Sequence, residues 1–188
     1  SGTLTVLVTE SHLPLVQQLV AEYHSAYPEV VLTPRGTTTR AALVEMVNDS
    51  VQCVIVDRRL NDEERNAVAQ AKRSVIETEI ARDGLVVIVH PSNKLPAISM
   101  EMLKSIISGT TGVWNTVPAS KLYGAIEICL TGRNSGLYEL LTRHFFTMEK
   151  DVSLAALASS QQEVIEYVAV HPEALGVVSF AAWKDTTR

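Results

Sequence analysis

LTVLVTESHLPLVQQLVAEYHSAYPEVVLTPRGTTTRAALVEMVNDSVQCVIVD, residues 4–57, sets the fold class. LTVLV (4–8) is a short β-branched run, and Leu15, Val16, Leu19, Val20 and Tyr23 follow at helical spacing. VVLTPR (30–35) reads as the next strand, Thr37 to Asn48 as a helix with Leu43, Met46 and Val47 inward, and QCVIVD (52–57) as a third strand. The alternation is β-α-β-α-β, the pattern of a parallel sheet covered by helices. Asn61-Asp62-Glu63-Glu64 has the cap and acidic first turn of a further helix, carried to about Lys72. The first 73 residues therefore predict one parallel-sheet lobe.

Beyond it, Val75 to His90 is strand-like twice, interrupted at Arg82-Asp83-Gly84 and ended by Pro91-Ser92-Asn93; a crossing between lobes would have this form. A helix from Ser99 to about Ile107, a Gly/Thr loop to Trp114-Asn115 and a strand AIEICLT (125–131) open a second lobe. Gly132-Arg133-Asn134-Ser135-Gly136 makes a tight turn into a helix with Leu137, Leu140, Leu141 and Phe145 on one face. Ser160 with Glu163 predicts a capping box for EVIEYV, and LGVVSF (175–180) is the last strand. The expected organisation is a single module with residues 1–85 as first lobe and 86–188, including the crossing, as second.

Composition narrows the function classes. Of 188 residues, 46% are hydrophobic, enough for a buried core, and the net charge of −5 comes without a polybasic cluster. Nucleic acid, which needs a phosphate-neutralising face, is disfavoured. A small anion is not, because backbone dipoles rather than net charge decide such a site. Cys53 and Cys129 lie in apolar runs and are expected to be buried thiols. No apolar run reaches the length of a membrane span, and Ser1-Gly2 reads as a cloning remnant, so any targeting segment would have been lost with it.

Three strand ends run into hydroxyl-rich helix starts: Thr9-Glu10-Ser11, Gly36-Thr37-Thr38-Thr39 and Asn134-Ser135-Gly136. Each start offers unpaired N–H groups, a positive dipole end and hydroxyl donors, and in an α/β sheet such turns gather at the carboxyl edge. Converging, they would form an anion site. Singly, each is an ordinary N-cap. GRNSG superficially resembles a nucleophile turn, but Gly132 is three residues before Ser135 and no His–Asp pairing is evident, so no enzyme is expected. His12, His24, His90, His144 and His171 are scattered without an i, i+4 pair; neither metal nor cofactor is expected. Trp114, Tyr138, Phe145 and Phe146 could line a pocket, but their spacing favours core.

RGTTTRAAL (35–43), VDRRL (56–60), IARDGLVVIVHPSNKL (80–95), IISGTTGVW (106–114), GRNSGLYELL (132–141) and HPEALGVVSF (171–180) resemble, in order and spacing, the phosphate-binding proteins that feed ABC importers. The resemblance implies a two-lobed α/β fold of the type II periplasmic-binding-protein kind, extracytoplasmic location, phosphate or a similar oxyanion as ligand, and importer membrane subunits as partners. It implies ligand contacts from Thr9, Glu10, Thr37, Thr38, Asp57, Ser135 and Gly136, with Asp57 accepting the proton of a hydrogen phosphate. The sequence departs from the family at Thr131, where the family has Arg, at Arg133, where it often has Asp, and at Leu137, where it has Thr. Arg133, beside Asn134, could supply the displaced cation. The departures leave a ligand-free sensory or interaction module as the rival reading. Family members also continue past the last strand to return to the first lobe; self-association is expected if that return is missing.

Overall fold

The computed structural model describes residues 2–145 and 154–186, which fall into two compact units. The first comprises Ser1–Arg82 with Asn134–Gly136, the second Asp83–Arg133 with Leu137–Arg188. No helix among the described residues is long and apolar enough to cross a membrane.

In the first unit β1 (Gly2–Thr9) lies between β2 (Val30–Thr37) and β3 (Cys53–Ile55), all parallel. Side chains alternate across a strand, so β1 sends Val6 and Val8 to one face and Leu7 to the other. Val6 and Val8 pack with Val16 of α1 (Leu13–Ala26); Leu7 packs with Ala42 of α2 (Thr39–Val47) and with Val51. With helices on both faces, Val6, Leu7 and Val8 are all buried, which is why this end of the strand reads as a continuous apolar run. Pro14 in the first turn of α1 suits a position whose N–H has no helical partner. α3 (Asp62–Gln70) starts at a full capping box: the Glu64 N–H donates to Asn61 Oδ1 and the Asn61 N–H to Glu64 Oε2, both at 2.9 Å. Leu43, Leu60 and Val68 pack α3 against α2.

The second unit is a mixed sheet of β4 (Leu85–Val89), β5 (Glu127–Thr131), β6 (Ala156–Ala158) and β7 (Ala174–Ser179) in the order β4-β7-β5-β6. β4 is antiparallel to β7, whereas β5 runs parallel to both β6 and β7. Every residue of β7 is buried. One face packs Leu175, Val177, Ile128 and Leu130 on α4 (Met100–Ile107), on α5 (Gly136–Phe145) and on Trp114; the other packs Cys129 and Val178 on Val164 of α6 (Gln161–Val170). Trp114 is fully buried in the core, its indole N–H donating to the Glu173 carbonyl at 2.8 Å, and Tyr138 and Phe145 pack on the same cluster; Phe146 lies outside the described residues. α7 (Phe180–Thr186) ends the described chain.

Several sequence expectations need correction. The first half of Val75–His90 forms no strand: no described residue forms a β-ladder with residues 75–82, Ile76 and Ile80 are exposed, and only β4 is built. Alternating apolar residues make a strand only where a second backbone is present to accept the ladder. Cys53 is half-buried rather than buried, because β3 is an edge strand; Cys129 is buried, and burial, aided by Glu163, pushes its thiol up to about 11. At α6 the Ser160 hydroxyl does cap Glu163, but the Glu163 carboxylate reaches back to the N–H and hydroxyl of Ser159 at 2.8 and 2.6 Å, one residue earlier than the box expected. β6 and α7 had no counterpart in the sequence reading.

Candidate functional site

The parallel register of the first sheet brings the candidate residues together. Thr9 and Thr37 are direct register partners at the last positions of β1 and β2. Ile55 of β3 pairs with Val8, so Asp57 lies two residues beyond, at the same carboxyl edge. Three chain segments far apart in sequence therefore end side by side because three parallel strands end together.

Each segment then turns differently. Thr9 is buried and leads into a 3-10 turn at Glu10–His12; its hydroxyl makes no cap bond but meets His12 Nδ1 at 3.1 Å. Ser11 Oγ meets the same nitrogen at 2.9 Å. Glu10 is exposed. At the second segment Thr37 and Thr38 are half-buried, and Thr38 is the N-cap of α2, its hydroxyl oxygen accepting the Ala41 N–H at 3.3 Å. Thr39, which the sequence places among the hydroxyls of this helix start but not among the contacts the resemblance implies, is only 1% exposed and donates its hydroxyl to Asp57 Oδ1 at 2.7 Å. The Asp57 carboxylate is thereby held in one orientation.

Asn134–Gly136 completes the cluster within this same unit. The Asn134 carbonyl accepts the Arg40 N–H at 3.3 Å, tying the segment to the start of α2. Gly136, the first residue of α5, is pressed against Asp57: a Cβ there would stand 1.9 Å from Asp57 Oδ1 and 2.6 Å from its Cγ. Glycine is required because a carboxylate occupies the space of a side chain. Asn134 is exposed and Ser135 half-buried. Arg133 is exposed and belongs to the second unit, as does Thr131, buried at the end of β5.

Behind Asp57, Arg58 forms a two-pronged ion pair with Glu64, Nη1 to Oε2 and Nη2 to Oε1 at 2.8 Å each. The Arg58 side chain is 9% exposed. Burial raises the Glu64 carboxyl, but the Arg58 guanidinium and the Asn61 N–H outweigh it and hold the group below its ordinary range. This pair fixes the backbone that carries Asp57. The carboxyl edge so assembled carries the hydroxyls of Thr9, Ser11, Thr37 and Thr38 and the Asp57 carboxylate oriented by Thr39.

A family model described as a PBP superfamily domain matches residues 1–188. The phosphate-binding protein PstS 2 of Streptococcus pneumoniae is 27% identical over 117 residues, 62% of this chain and 38% of that protein, so the chain spans well under half of this relative. A Clostridium perfringens protein, assigned as a phosphate ABC transporter substrate-binding protein and crystallised with bound phosphate, has the same fold with a TM-score of 0.84 at 18% identity, over 95% of this chain and 71% of that one. The reduced regulatory domain of OxyR2 from Vibrio vulnificus shares the fold with a TM-score of 0.65 at 15% identity, over 98% of this chain and 74% of that one. The α/β, type II periplasmic-binding-protein class expected from the sequence is the class observed. Matched from end to end by the family model and built on the family's fold, the chain belongs to the PBP superfamily domain family.

Proposed function

We propose that this chain is a solute-binding module that captures a tetrahedral oxyanion, phosphate first among them, outside the cytoplasm and hands it to an ABC importer without chemical change. The observation that carries the reading is Asp57, held by the Thr39 hydroxyl at 2.7 Å and set against Gly136 at the strand edge where β1 and β2 end in Thr9 and Thr37. Donors alone suit any anion. An oriented carboxylate among them suits one that still bears a proton, which hydrogen phosphate does and sulfate does not. The phosphate-binding relatives agree with this choice. In this reading Thr9, Thr37, Thr38 and Ser135 donate hydroxyls, Gly136 gives close backbone approach, and Glu10, Arg133 and Asn134 border the ligand.

Titration calorimetry with phosphate and sulfate tests it. Phosphate is expected to bind, and Asp57→Asn to weaken phosphate by about 1.5–3 kcal/mol, the worth of a hydrogen bond to a charged group, with little effect on sulfate. Absence of heat with millimolar phosphate would overturn the reading. A ligand-free regulatory or interaction module is the second reading, favoured by the OxyR2 regulatory-domain likeness and by Thr131, Arg133 and Leu137 departing from the phosphate-binding pattern.

A further inference from the structure

We propose that an exposed apolar row of α1 is a contact surface for a second copy of this chain, and that two copies associate reversibly through it about a two-fold axis beside Leu19. The inference goes beyond the oxyanion reading and stands without it. A helix lying on a sheet needs one apolar stripe, with polar residues over the rest of its surface. In α1 that stripe is Leu13, Val16 and Val20, which pack with Val6 and Val8 of β1. A second apolar row runs along the same helix at four-residue spacing, Leu15, Leu19 and Tyr23, and continues to Tyr27 just past its end. These four side chains are 51, 52, 43 and 50% exposed, and the rings of Tyr23 and Tyr27 lie against each other with centroids 4.8 Å apart. The first row seats α1 on the sheet; the second is left half in water.

The chemistry of the row selects its occupant. Among the fourteen residues of α1, Glu22 alone is an Asp, Glu, Lys or Arg. A membrane surface calls for Lys and Arg on the polar face of such a helix, and α1 has neither, in a chain of net charge −5. Few charges and exposed tyrosines are instead the composition of a protein interface. The row is also symmetric in position, since Leu15 and Tyr23 lie four residues either side of Leu19. With two copies antiparallel, Leu19 meets Leu19 and Leu15 of each copy meets Tyr23 of the other, the self-complementary contact that a two-fold axis requires. The two Glu22 carboxylates then stand about 9 Å apart along the helix axes, too far for direct contact. Each is also held in its own copy by the Gln18 side-chain amide at 3.2 Å. Half-exposed side chains of this size offer about 100 Å² each, and with Gln18, Glu22 and Ala26 at the rim two copies together would bury about 1,000 Å². Specific interfaces begin near that area and obligate dimers need about twice as much, so the association is reversible and depends on concentration.

Sedimentation velocity on the full 188-residue chain, from about 1 to about 500 µM, reads the association. The wild type is expected to shift from monomer toward dimer across that range. Leu19→Glu removes two leucine surfaces per dimer and sets two carboxylates face to face, and should weaken association by about 100-fold or more. Leu19→Lys should do the same. An equimolar mixture of the two variants should recover a heterodimer, because opposite charges then meet at the axis. Leu19 is half exposed, so both variants should keep the wild-type circular dichroism and urea midpoint. A wild type still monomeric at about 500 µM overturns the proposal and leaves the row to a different partner. A Leu19→Glu variant that dimerises as the wild type does overturns it by placing self-association on another surface, such as an open sheet edge. A mixture of the two variants that stays monomeric overturns it as well, since the two Leu19 positions then do not face each other. None of these results bears on phosphate binding, which calorimetry measures separately.

Discussion

At the scale of single residues, the contact between Asp57 and Gly136 ties the site together, and it yields a test that separates binding from folding. An alanine Cβ at position 136 would stand 1.9 Å from Asp57 Oδ1, so the carboxylate must swing away and release the Thr39 hydroxyl. The displaced group is the end of an exposed side chain and can move without disturbing the core. Gly136→Ala is therefore expected to cost only about 1 kcal/mol of folding stability, the worth of one hydrogen bond, yet to weaken phosphate by tenfold or more. Urea unfolding and calorimetry on the same sample check both halves. Sequence alone named Asp57 and Gly136 separately, through the resemblance, but not their contact. It set Thr39 among the hydroxyls of a helix start without singling it out, because nothing in a row of three threonines says which one faces the next strand.

At the scale of elements, α3 is anchored by charge as well as by its cap. Glu64 serves both, accepting the Asn61 N–H at 2.9 Å and the two prongs of Arg58 at 2.8 Å. Its carboxyl is held below the ordinary range, so its contribution is fully present above the unfolded-state value of about 4.3 and is lost as pH falls through the lower folded-state value. Glu64→Gln leaves the nearly buried Arg58 guanidinium facing an amide and is expected to cost about 2–3 kcal/mol at pH 7. Below the carboxylate range the wild type loses the same ion pair, so the gap between the two proteins should close. Denaturant midpoints at neutral and acid pH would show it. A further element-level test lies in β7, where a Cβ on Gly176 would meet Val164 Cγ1 of α6 at 2.8 Å and Val168 Cγ2 at 3.0 Å. Gly176→Ala is expected to destabilise the second unit by about 1–3 kcal/mol through overpacking, read as a lower denaturation midpoint.

At the scale of the whole molecule, every residue that the proposal assigns to the ligand except Arg133 falls in the first unit, which borrows Asn134–Gly136 from the later part of the chain. Phosphate at about 100 times its dissociation constant should stabilise the folded state by roughly 2.7 kcal/mol. Hydrogen exchange should show the added protection at 9–12, 36–40, 57 and 134–136. Uniform protection without emphasis there, or none, would count against the assignment. The β-α-β-α-β order of the first unit was legible in residues 4–57, since apolar period, caps and proline positions are properties of neighbouring residues that no partner has to supply. The family was legible too, in short motifs whose order survives wide divergence. What only the tertiary structure decided are the matters that need a partner distant in the chain. Among the described residues, 75–82 join no β-ladder despite their strand-like text, Cys53 is half-exposed on an edge strand, and Asp57 is gripped by Thr39 and stands against Gly136. Local pattern fixes which element a segment can form, but pairing, burial and the orientation of a side chain at a site depend on which backbone comes to lie beside it.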